Sequence, residues 1–273
     1  NGIIKPIKEV TKIAEKMAAG DLQVRSIKKS NDEVGKLSDT LNYMADELIK
    51  KENIKNEFIA SVSHELRTPL TSIKGWAIIL NTADPEERQL FKDGLKIIET
   101  ETERLSDMVE DLLDFSKLIS GRMTLNKKET NVNSLVEYIK RHMTSVAERN
   151  NIDFIVEYNE NLPSAMLDEN RIKQVLINVL DNAFKFTERE GWVKFTTKVE
   201  KDMLVMIVED NGCGIAEEDL PNVKQKFYRG KNSRSSSGIG LSVSDEIVRL
   251  HNGDMQIESQ KGEGTKVTIK LPL

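Results

Sequence analysis

Ser63-His64-Glu65-Leu66-Arg67-Thr68-Pro69-Leu70 sets a histidine beside a carboxylate, with a hydroxyl four residues and a proline five residues further on. The chain has three histidines, and only His64 has such neighbours. No glycine or proline occurs between Lys36 and Arg67, so the stretch is predicted to belong to one long helix. A neutral imidazole is a competent nucleophile near pH 7. His64 is therefore the candidate nucleophile, with an exposed surface histidine as the alternative.

The residues that follow His64 suit chemistry at an imidazole. Glu65 can hold the second ring N–H and so raise the nucleophilicity of the ring. Thr68 lies one turn further along the same helix face, where its hydroxyl can orient a water molecule. Pro69 cannot donate a hydrogen bond to the carbonyl of Glu65 and loosens the helix beneath the histidine. The predicted catalytic set is His64, Glu65 and Thr68.

Apolar residues on both sides of this stretch follow the spacing of packed helices. Steps of three and four residues predict a coiled-coil seam, with an ordinary amphipathic helix as the alternative; the seam is Val34, Leu37, Leu41, Met44 and Leu48. Asp84-Pro85-Glu86-Glu87 predicts the start of a second helix with Asp84 as its N-cap, and Ser120-Gly121 predicts its end. The resulting hairpin spans residues 51–122. Each apolar stripe is too broad for one partner helix, so we expect a four-helix bundle in a homodimer.

Residues 1–50 are predicted to form two helices around a connector. The first helix has Pro6 near its start, where proline is tolerated, and ends at Gly20. Asp32-Glu33 opens the second helix with acidic groups at its positive end. The connector, residues 21–31, is expected to place three apolar residues against the helices: Leu22, Val24 and Ile27.

After Gly121 the pattern changes to alternating helices and strands. Strands are predicted at 152–158, 165–167, 192–199, 204–209, 255–259 and 265–271. Helices are predicted from Asn133 or Ser134 to Arg149, from the N-cap Asp168 to Phe186, and from Gly240 to His251. Residues 123–273 are therefore an α+β layer of mostly antiparallel strands against three helices.

Four features within residues 178–265 suit a nucleotide. Asn178, Asn182 and Lys185 share one helix face and offer amide oxygens for Mg²⁺ and a cation for phosphate. Asp210-Asn211-Gly212-Cys213-Gly214 combines glycines that let a ligand approach the backbone with a carboxylate that can accept a hydrogen bond from adenine. Residues 220–244 carry five basic side chains, Lys224, Lys226, Arg229, Lys231 and Arg234. Gly238-Ile239-Gly240-Leu241 opens a helix whose free N–H groups suit an anion.

Each feature alone has a simpler explanation: a turn, solvated amides on a helix, or a solvated loop. Their ordered recurrence favours a nucleotide site. A P-loop is excluded because the chain has no Gly-x-x-x-x-Gly-Lys-[Ser/Thr].

These motifs together resemble those of sensor histidine kinases. Asn178…Asn182-Ala183-Phe184-Lys185-Phe186, Asp210-x-Gly-x-Gly214, Phe227-Tyr228-Arg229 and Gly238-x-Gly240-Leu241 resemble the four ATP boxes. The His64 stretch resembles the phosphoacceptor box, and residues 1–50 resemble a HAMP signal-relay module. The resemblance implies a multidomain protein, with an all-α coiled-coil and four-helix-bundle dimerisation part and an α+β sandwich of the Bergerat type. The HAMP-like module would span residues 1–50, the helical dimerisation part 51–122 and the ATP-binding domain 123–273.

The resemblance also implies roles for single residues. Asn178 would ligand Mg²⁺, while Asn182, Lys185 and Arg229 would hold the phosphates of ATP. Asp210 would read the adenine amine, with help from Thr265, and Phe186 would pack against the base. The remaining nucleotide contacts would come from Gly212, Gly214, Gly238, Gly240 and Leu241. Thr68 would support dephosphorylation of a partner regulator.

The implied function is an ATP-dependent protein histidine autokinase of a two-component system. It would phosphorylate His64 and pass the phosphoryl group to an aspartate of a response regulator, with phosphatase activity toward it. A phosphatase-dominant protein or a nucleotide-binding signalling scaffold is the alternative. An ATPase of the chaperone or topoisomerase kind is disfavoured by the His64 stretch.

Composition and charge limit the number of domains, the binding partners and the cellular compartment that the sequence suits. The 273 residues suffice for two domains and a smaller module, and the net charge of −5 gives no basic field for nucleic acid. The single cysteine, Cys213, excludes an intramolecular disulfide and fits a reducing compartment. The sequence has no apolar run of ~18 residues and begins with Asn rather than Met. We therefore expect the cytoplasmic portion of a bacterial membrane protein, attached through an upstream segment.

Overall fold

The computed structural model describes residues 4–84, 86–159, 161–225, 228 and 238–273, and the side chains of residues 107 and 111 lie outside this description. The chain divides into two units, residues 1–64 and 65–273. The helices are α1 (Ile4–Ala18), α2 (Glu33–Thr82), α3 (Arg88–Ile119), α4 (Val132–Asn150), α5 (Glu169–Phe186) and α6 (Gly240–Leu250). The strands are β1 (Lys128–Thr130), β2 (Asp153–Tyr158), β3 (Ala165–Leu167), β4 (Trp192–Glu200), β5 (Met203–Asp210), β6 (Asp254–Gln260) and β7 (Gly264–Pro272). In the described part of the chain, no helix combines the length and hydropathy that a bilayer span requires.

Polar contacts hold the connector of the N-terminal unit to α2. The Ser26 N–H donates to Asn42 Oδ1 (2.8 Å), and Asn42 Nδ2 donates to the Ser26 carbonyl (2.9 Å). The buried Ser26 hydroxyl donates to Ser38 Oγ (3.0 Å). Ile27 is 76% exposed, so its predicted apolar contact is wrong. Successive side chains of an extended segment point in opposite directions, and Ser26 takes the buried place. The other two predicted apolar contacts of the connector are half-buried: Leu22 and Val24.

The first turn of α2 is capped and crowded. Asp32 Oδ1 accepts hydrogen bonds from the backbone N–H groups of Val34 and Gly35, each at 3.1 Å, which confirms the predicted helix start. A Cβ added at Gly35 would lie 1.8 Å from the carbonyl oxygen of Ser30. The connector therefore crosses this turn too closely for any side chain at position 35.

The predicted coiled-coil seam lies on the exposed side of α2 in a single chain. Leu37, Met44 and Leu48 are exposed, whereas Ser38 and Ala45 are buried. An apolar row of this kind is what a second copy would cover, and the homodimer stays a prediction.

The predicted long helix is confirmed, because α2 continues to Thr82 with Pro69 inside it. The predicted N-cap at Asp84 is wrong, since α3 begins at Arg88. Asp84 Oδ1 instead accepts from the Glu86 N–H (3.0 Å), and its carbonyl accepts from the Glu87 N–H (2.9 Å), so the motif forms a turn before the helix. The predicted end of α3 is confirmed by Gly121, whose φ is +65°.

The two helices of the hairpin approach closely at one glycine. A Cβ added at Gly94 on α3 would lie 2.9 Å from side-chain atoms of both Trp76 and Leu80 on α2. The absence of a side chain at this position therefore lets α3 sit against the bulky residues of α2.

Beyond the hairpin, three helices pack on one sheet. The strand order is β2-β4-β5-β7-β6; β2 runs parallel to β4, and the other neighbours are antiparallel. This confirms the predicted α+β layer. A second sheet pairs β3 with β1, a strand that the sequence did not predict. The buried faces of α4, α5 and α6 form the core with the inner residues of β4 and β5, including Leu135, Ile139, Leu176, Leu180, Phe195 and Met206.

Helix caps fix the ends of α4 and α5. Asn131 Oδ1 accepts from the Ser134 N–H (3.0 Å), so α4 starts slightly earlier than predicted. Asp168 Oδ1 accepts from the Arg171 N–H (3.2 Å), which confirms the predicted cap of α5.

His251 Nε2 accepts from the Asp168 N–H (3.0 Å), while its Nδ1 bonds the Ile247 carbonyl (2.8 Å). Burial lowers the pKa of His251, and these bonds give the residue a structural role.

A buried polar cluster joins α3 to α5 within the C-terminal unit. The Asp114 carboxylate accepts hydrogen bonds from Arg171 Nη1 and, at 2.8 Å, from Gln174 Nε2. Burial raises the pKa of Asp114, but the hydrogen bonds from Arg171 and Gln174 outweigh it and hold the pKa below its ordinary value. Phe115, the next residue, is fully buried. The helical hairpin is therefore fastened to the helix that carries the predicted Asn178 site.

Candidate nucleotide site and phosphoacceptor stretch

Asn178 lies on α5, and its side chain contacts the first turns of α6. Its Nδ2 donates to Ser244 Oγ at 2.8 Å, and a Cβ added at Gly240 would lie 2.4 Å from its Oδ1. A side chain at position 240 would therefore displace the amide from this place. With its donor end occupied by Ser244, the amide has its oxygen available as a ligand for Mg²⁺, which fits the predicted metal role.

Asp210 ends β5 beside the start of β7. Its Oδ1 accepts from the backbone N–H groups of Gly212 (2.9 Å) and Thr265 (3.2 Å), and the strand register pairs Asp210 with Thr265. The residue is 9% exposed, and burial raises the pKa of its carboxyl, although both hydrogen bonds act in the opposite direction. Both bonds use Oδ1, so the carboxylate is held in a fixed orientation and can present Oδ2 to a ligand.

The glycines around Asp210 allow backbone segments to meet. A Cβ at Gly212 would lie 2.4 Å from the Phe186 carbonyl oxygen, and one at Gly264 would lie 1.9 Å from that of Asp210. Gly214 has a φ of +62°, and a Cβ there would lie 2.0 Å from a carbonyl oxygen of β6. The loop after β5 is therefore clamped between the end of α5 and the turn from β6 to β7.

The end of α5 adds an aromatic ring and a cation to this side. The Cys213 N–H donates to the Phe186 carbonyl (3.1 Å), which brings the loop after Asp210 to the C-terminus of α5. Lys185 is exposed, and its Nζ lies 5.9 Å from the centroid of the half-buried Phe186 ring. Asn182, one turn before Phe186, is also half-buried. The predicted base-stacking residue, Phe186, is thus a neighbour of the Asp210 loop.

The fourth element is the start of α6. Gly238 has a φ of +64°, Ile239 is buried, and the helix begins at Gly240 with Leu241 half-buried. The N-terminus of α6 therefore stands beside Asn178, so the positive end of a helix and an amide oxygen share one location.

Of the five basic side chains in residues 220–244, the structure describes Lys224. Arg229 lies outside the described residues, as do Lys226, Phe227, Lys231 and Arg234. Lys224 Nζ is 2.8 Å from Asp245 Oδ1 and also donates to the Met255 carbonyl. Lys224 is therefore held by α6 and β6 in the structure, and its contribution to binding an anionic ligand stays a prediction. The Tyr228 hydroxyl bonds Asp219, and this hydrogen bond raises the pKa of Tyr228.

Comparison with known proteins gives matches along most of the chain. Residues 167–273 match the histidine kinase-, DNA gyrase B- and HSP90-like ATPase family, residues 54–121 the His Kinase A phosphoacceptor domain, and residues 1–50 the HAMP domain. The chain is 32% identical to the sensor histidine kinase YclK of Bacillus subtilis over 99% of its own length and 59% of that protein.

Solved structures of histidine kinases are also similar to this chain, and two of them illustrate the range of coverage. One is the histidine kinase ThkA in complex with the response regulator protein TrrA, with a TM-score of 0.63, 28% identity and coverage of 84% of this chain and 66% of that one. The other is full-length ShkA in complex with AMPPNP, with a TM-score of 0.60, 26% identity and coverage of 78% and 45%.

The chain belongs to the sensor histidine kinases. Its helical part and its α+β part are the two structural classes that the sequence predicted for such a protein. The chain spans 59% of YclK, so it corresponds to part of that longer sensor histidine kinase.

The predicted phosphoacceptor stretch lies within α2. His64 and Thr68 are exposed, Glu65 is half-buried and Pro69 is buried. His64 closes the N-terminal unit, whereas Glu65 and Thr68 belong to the C-terminal unit. The spacing of four residues puts His64 and Thr68 on the same helix face, as predicted.

Two serines of the site were missed by sequence reasoning. Ser244 holds the amide of Asn178, and Ser259 bridges three segments: its Oγ donates to the Gly264 carbonyl (2.7 Å), accepts from the Ile215 N–H (2.8 Å) and lies 3.0 Å from Thr265 Oγ1. Serines in a helix and a strand have no distinctive spacing, so only the tertiary contacts identify them.

Proposed function

We propose that this sensor histidine kinase is an ATP-dependent protein histidine autokinase that phosphorylates His64 and passes the phosphoryl group to an aspartate of a response regulator. The observation that carries the proposal is the Asp210 site, in which a nearly buried carboxylate is oriented by two backbone N–H groups. The relationship to YclK and the similarity to the ThkA–TrrA complex support the activity and the class of partner.

The adenine would be recognised at Asp210. Oδ2 of the carboxylate accepts a hydrogen bond from the exocyclic amine of the base. Adenine has this donor at this position, and guanine lacks it. Thr265, whose N–H bonds the same carboxylate, is close enough to share a bridging water. Phe186 supplies an aromatic face for the base, and Gly212 and Gly214 leave room for the nucleotide against the backbone.

The phosphates would lie between α5 and the start of α6. Asn178 Oδ1 would hold Mg²⁺, and Asn182, Lys185 and Arg229 would bind phosphate oxygens. Gly238, Gly240 and Leu241 would offer backbone N–H groups at the helix N-terminus. When bound, Mg²⁺ neutralises charge on the phosphate oxygens, which favours phosphoryl transfer.

At His64, a ring nitrogen would attack the γ-phosphorus of ATP. The nitrogen–phosphorus bond forms as the bond from that phosphorus to the bridging oxygen of ADP breaks, and the proton on the other ring nitrogen passes to Glu65. An aspartate carboxylate of the response regulator then takes the phosphoryl group, and the imidazole regains its proton. Thr68 would orient a water molecule for dephosphorylation of the regulator.

We also propose a domain organisation and an assembly for the chain. We place the HAMP-like module at 1–50, the dimerisation and phosphotransfer hairpin at 51–122 and the ATP-binding domain at 123–273. Family matches at 1–50, 54–121 and 167–273 support this order of domains. The exposed apolar residues of α2 support a homodimer. The HAMP match supports the cytoplasmic portion of a membrane-attached bacterial sensor.

The test is incubation of the purified chain with γ-labelled ATP and Mg²⁺, followed by treatment of the label with acid and alkali. We expect label that survives alkali, is lost in acid and is absent from His64→Gln. The matched control is His142→Gln, which removes another exposed histidine and should leave the labelling unchanged. Label that persists in His64→Gln contradicts the proposal.

The alternative is a phosphatase-dominant protein or a nucleotide-binding scaffold. It would give saturable nucleotide binding without label on the chain. In that case, dephosphorylation of an aspartyl-phosphorylated regulator, and its loss in Thr68→Ala, would separate the phosphatase from the scaffold.

A further inference from the structure

Ser244 is placed to determine which end of the Asn178 amide faces the nucleotide. The serine lies on α6 and is 2% exposed, and its Oγ accepts the hydrogen bond from Asn178 Nδ2 at 2.8 Å. An asparagine amide has a donor end and an acceptor end, and only the oxygen can ligand a metal ion. In the structure Ser244 accepts from Nδ2, so this hydrogen bond accompanies the orientation in which Oδ1 is left for a ligand.

Gly240 confines the amide from the other side. A Cβ at this position would lie 2.4 Å from Oδ1 and 2.9 Å from Nδ2 of Asn178, so the amide rests against the backbone of the first turn of α6. Gly240 and Ser244 are four residues apart on one helix and face the same side chain. Helix α6 thus holds the amide through a close backbone contact at one turn and a hydrogen bond at the next.

We propose that Ser244 is a positioning residue for the Mg²⁺–nucleotide site. Its hydroxyl stabilises the Asn178 orientation that presents Oδ1 to the metal ion of Mg²⁺–ATP. The inference rests on the proposed function, which gives Asn178 the metal. Loss of the hydroxyl leaves the Nδ2 donor without this partner whenever Oδ1 points to the metal ion, a cost that is absent when the nucleotide binds without metal.

We expect the loss of ATP affinity in the Ser244 variant to depend on Mg²⁺. Replacement of Ser244 by alanine removes one hydrogen bond to a partly buried donor, which corresponds to about a tenfold rise in the Kd of Mg²⁺–ATP. The Kd of ATP in EDTA should change less than about twofold, because the orientation of the amide is then not constrained by a metal ion. A general packing defect would weaken both complexes alike.

The experiment is calorimetric titration of the full chain with ATP, in Mg²⁺ and in EDTA. The variants are Ser244→Ala, Asn178→Ala and the double variant. Ser242→Ala is the matched control, since Ser242 is on the same helix and 6% exposed, and its hydroxyl donates to the Ile239 carbonyl (2.7 Å) rather than to the amide. Ser242→Ala should bind like the unmodified chain. Ser244→Cys, nearly isosteric and a weaker acceptor, replaces the alanine variant if that variant does not fold.

Three outcomes decide the matter. A Mg²⁺-specific loss in Ser244→Ala that disappears in the Asn178→Ala background supports the inference. Equal losses with and without Mg²⁺, or losses that add to those of Asn178→Ala, show a structural role and overturn it. If Asn178→Ala itself leaves the Mg²⁺ dependence unchanged, the metal role of Asn178 in the proposed function fails, and the inference falls with it.

Discussion

Replacement of Asp114 by alanine removes the carboxylate that fastens α3 to α5. The carboxylate accepts hydrogen bonds from Arg171 and Gln174, and the side chains of Asp114 and Arg171 are only 10% and 21% exposed. A hydrogen bond to a charged group contributes about 1.5–3 kcal/mol, and the partial exposure of Arg171 favours the lower end. We expect Asp114→Ala to lower the free energy of unfolding by about 2 kcal/mol.

A double-mutant cycle with Asp114→Asn and Arg171→Gln isolates the pair, with urea unfolding as the assay. We expect a coupling free energy of at least about 1 kcal/mol. The matched control is Lys117→Gln, because Lys117 Nζ lies 3.8 Å from Asp114 Oδ1 and its side chain is 53% exposed. A weak exposed pair of this kind should contribute less than about 0.5 kcal/mol.

The pH dependence of the same variants gives a second measurement. The pKa of Asp114 is lower in the folded protein than in the unfolded chain, so the stabilisation is complete above the unfolded value of ~3.9. It is lost as the pH falls through the lower folded value. The difference in stability between the unmodified chain and Asp114→Asn should therefore be constant from pH 7 to about 5 and shrink in stronger acid. A coupling energy near zero, or a pH-independent difference, would show that the Asp114–Arg171 pair does not stabilise the folded protein.

Glycine replacements test the close backbone approaches. At Gly264, with a φ of +108°, a Cβ would lie 1.9 Å from a backbone carbonyl oxygen at the end of β5; Gly264→Ala should cost more than about 3 kcal/mol in urea unfolding. Gly262→Ala, at φ +86° with open space around it, should cost only about 1–2 kcal/mol, and equal losses would contradict the clash. Gly35→Ala, with a Cβ 1.8 Å from Ser30 O, should lower the thermal midpoint of the N-terminal unit followed by circular dichroism. Gly75→Ala, with open space in the same helix, should instead stabilise by about 0.5–1 kcal/mol.

Much of the fold could be predicted because local signals agreed with the tertiary structure. Asp168 is followed by a run with helical periodicity, and β3 was predicted with its observed bounds, Ala165–Leu167. By contrast β1, with the sequence Lys-Glu-Thr, is too short and polar to show strand periodicity. Its pairing with β3 depends on a contact between segments that are distant in sequence.

The errors have local causes too. Asp84 carries the residue pattern of a helix cap, but its side chain closes a turn with Glu86 instead. Ile27 was expected to be buried because it is apolar, yet the connector buries Ser26, whose backbone pairs with Asn42. Polar pairing between distant segments cannot be read from hydropathy.

The candidate site was predictable in its residues but not in its contacts. The motifs led to Asn178 and Asp210, because few other roles explain those residue types in that order. The orientation of each side chain comes from partners that the motifs do not contain: Ser244 for the amide, and the Thr265 N–H across the sheet for the carboxylate.

The most direct test of adenine recognition at Asp210 is a comparison of ATP with purine riboside triphosphate, which lacks the 6-amino group, by calorimetric titration of the full chain. ATP should bind at least tenfold more tightly, because the amine donates to Asp210. Asp210→Asn, which presents an amide N–H where Oδ2 was, should remove this preference. Equal binding of the two nucleotides by the unmodified chain, or an unchanged preference in Asp210→Asn, would contradict the assignment of this site to adenine.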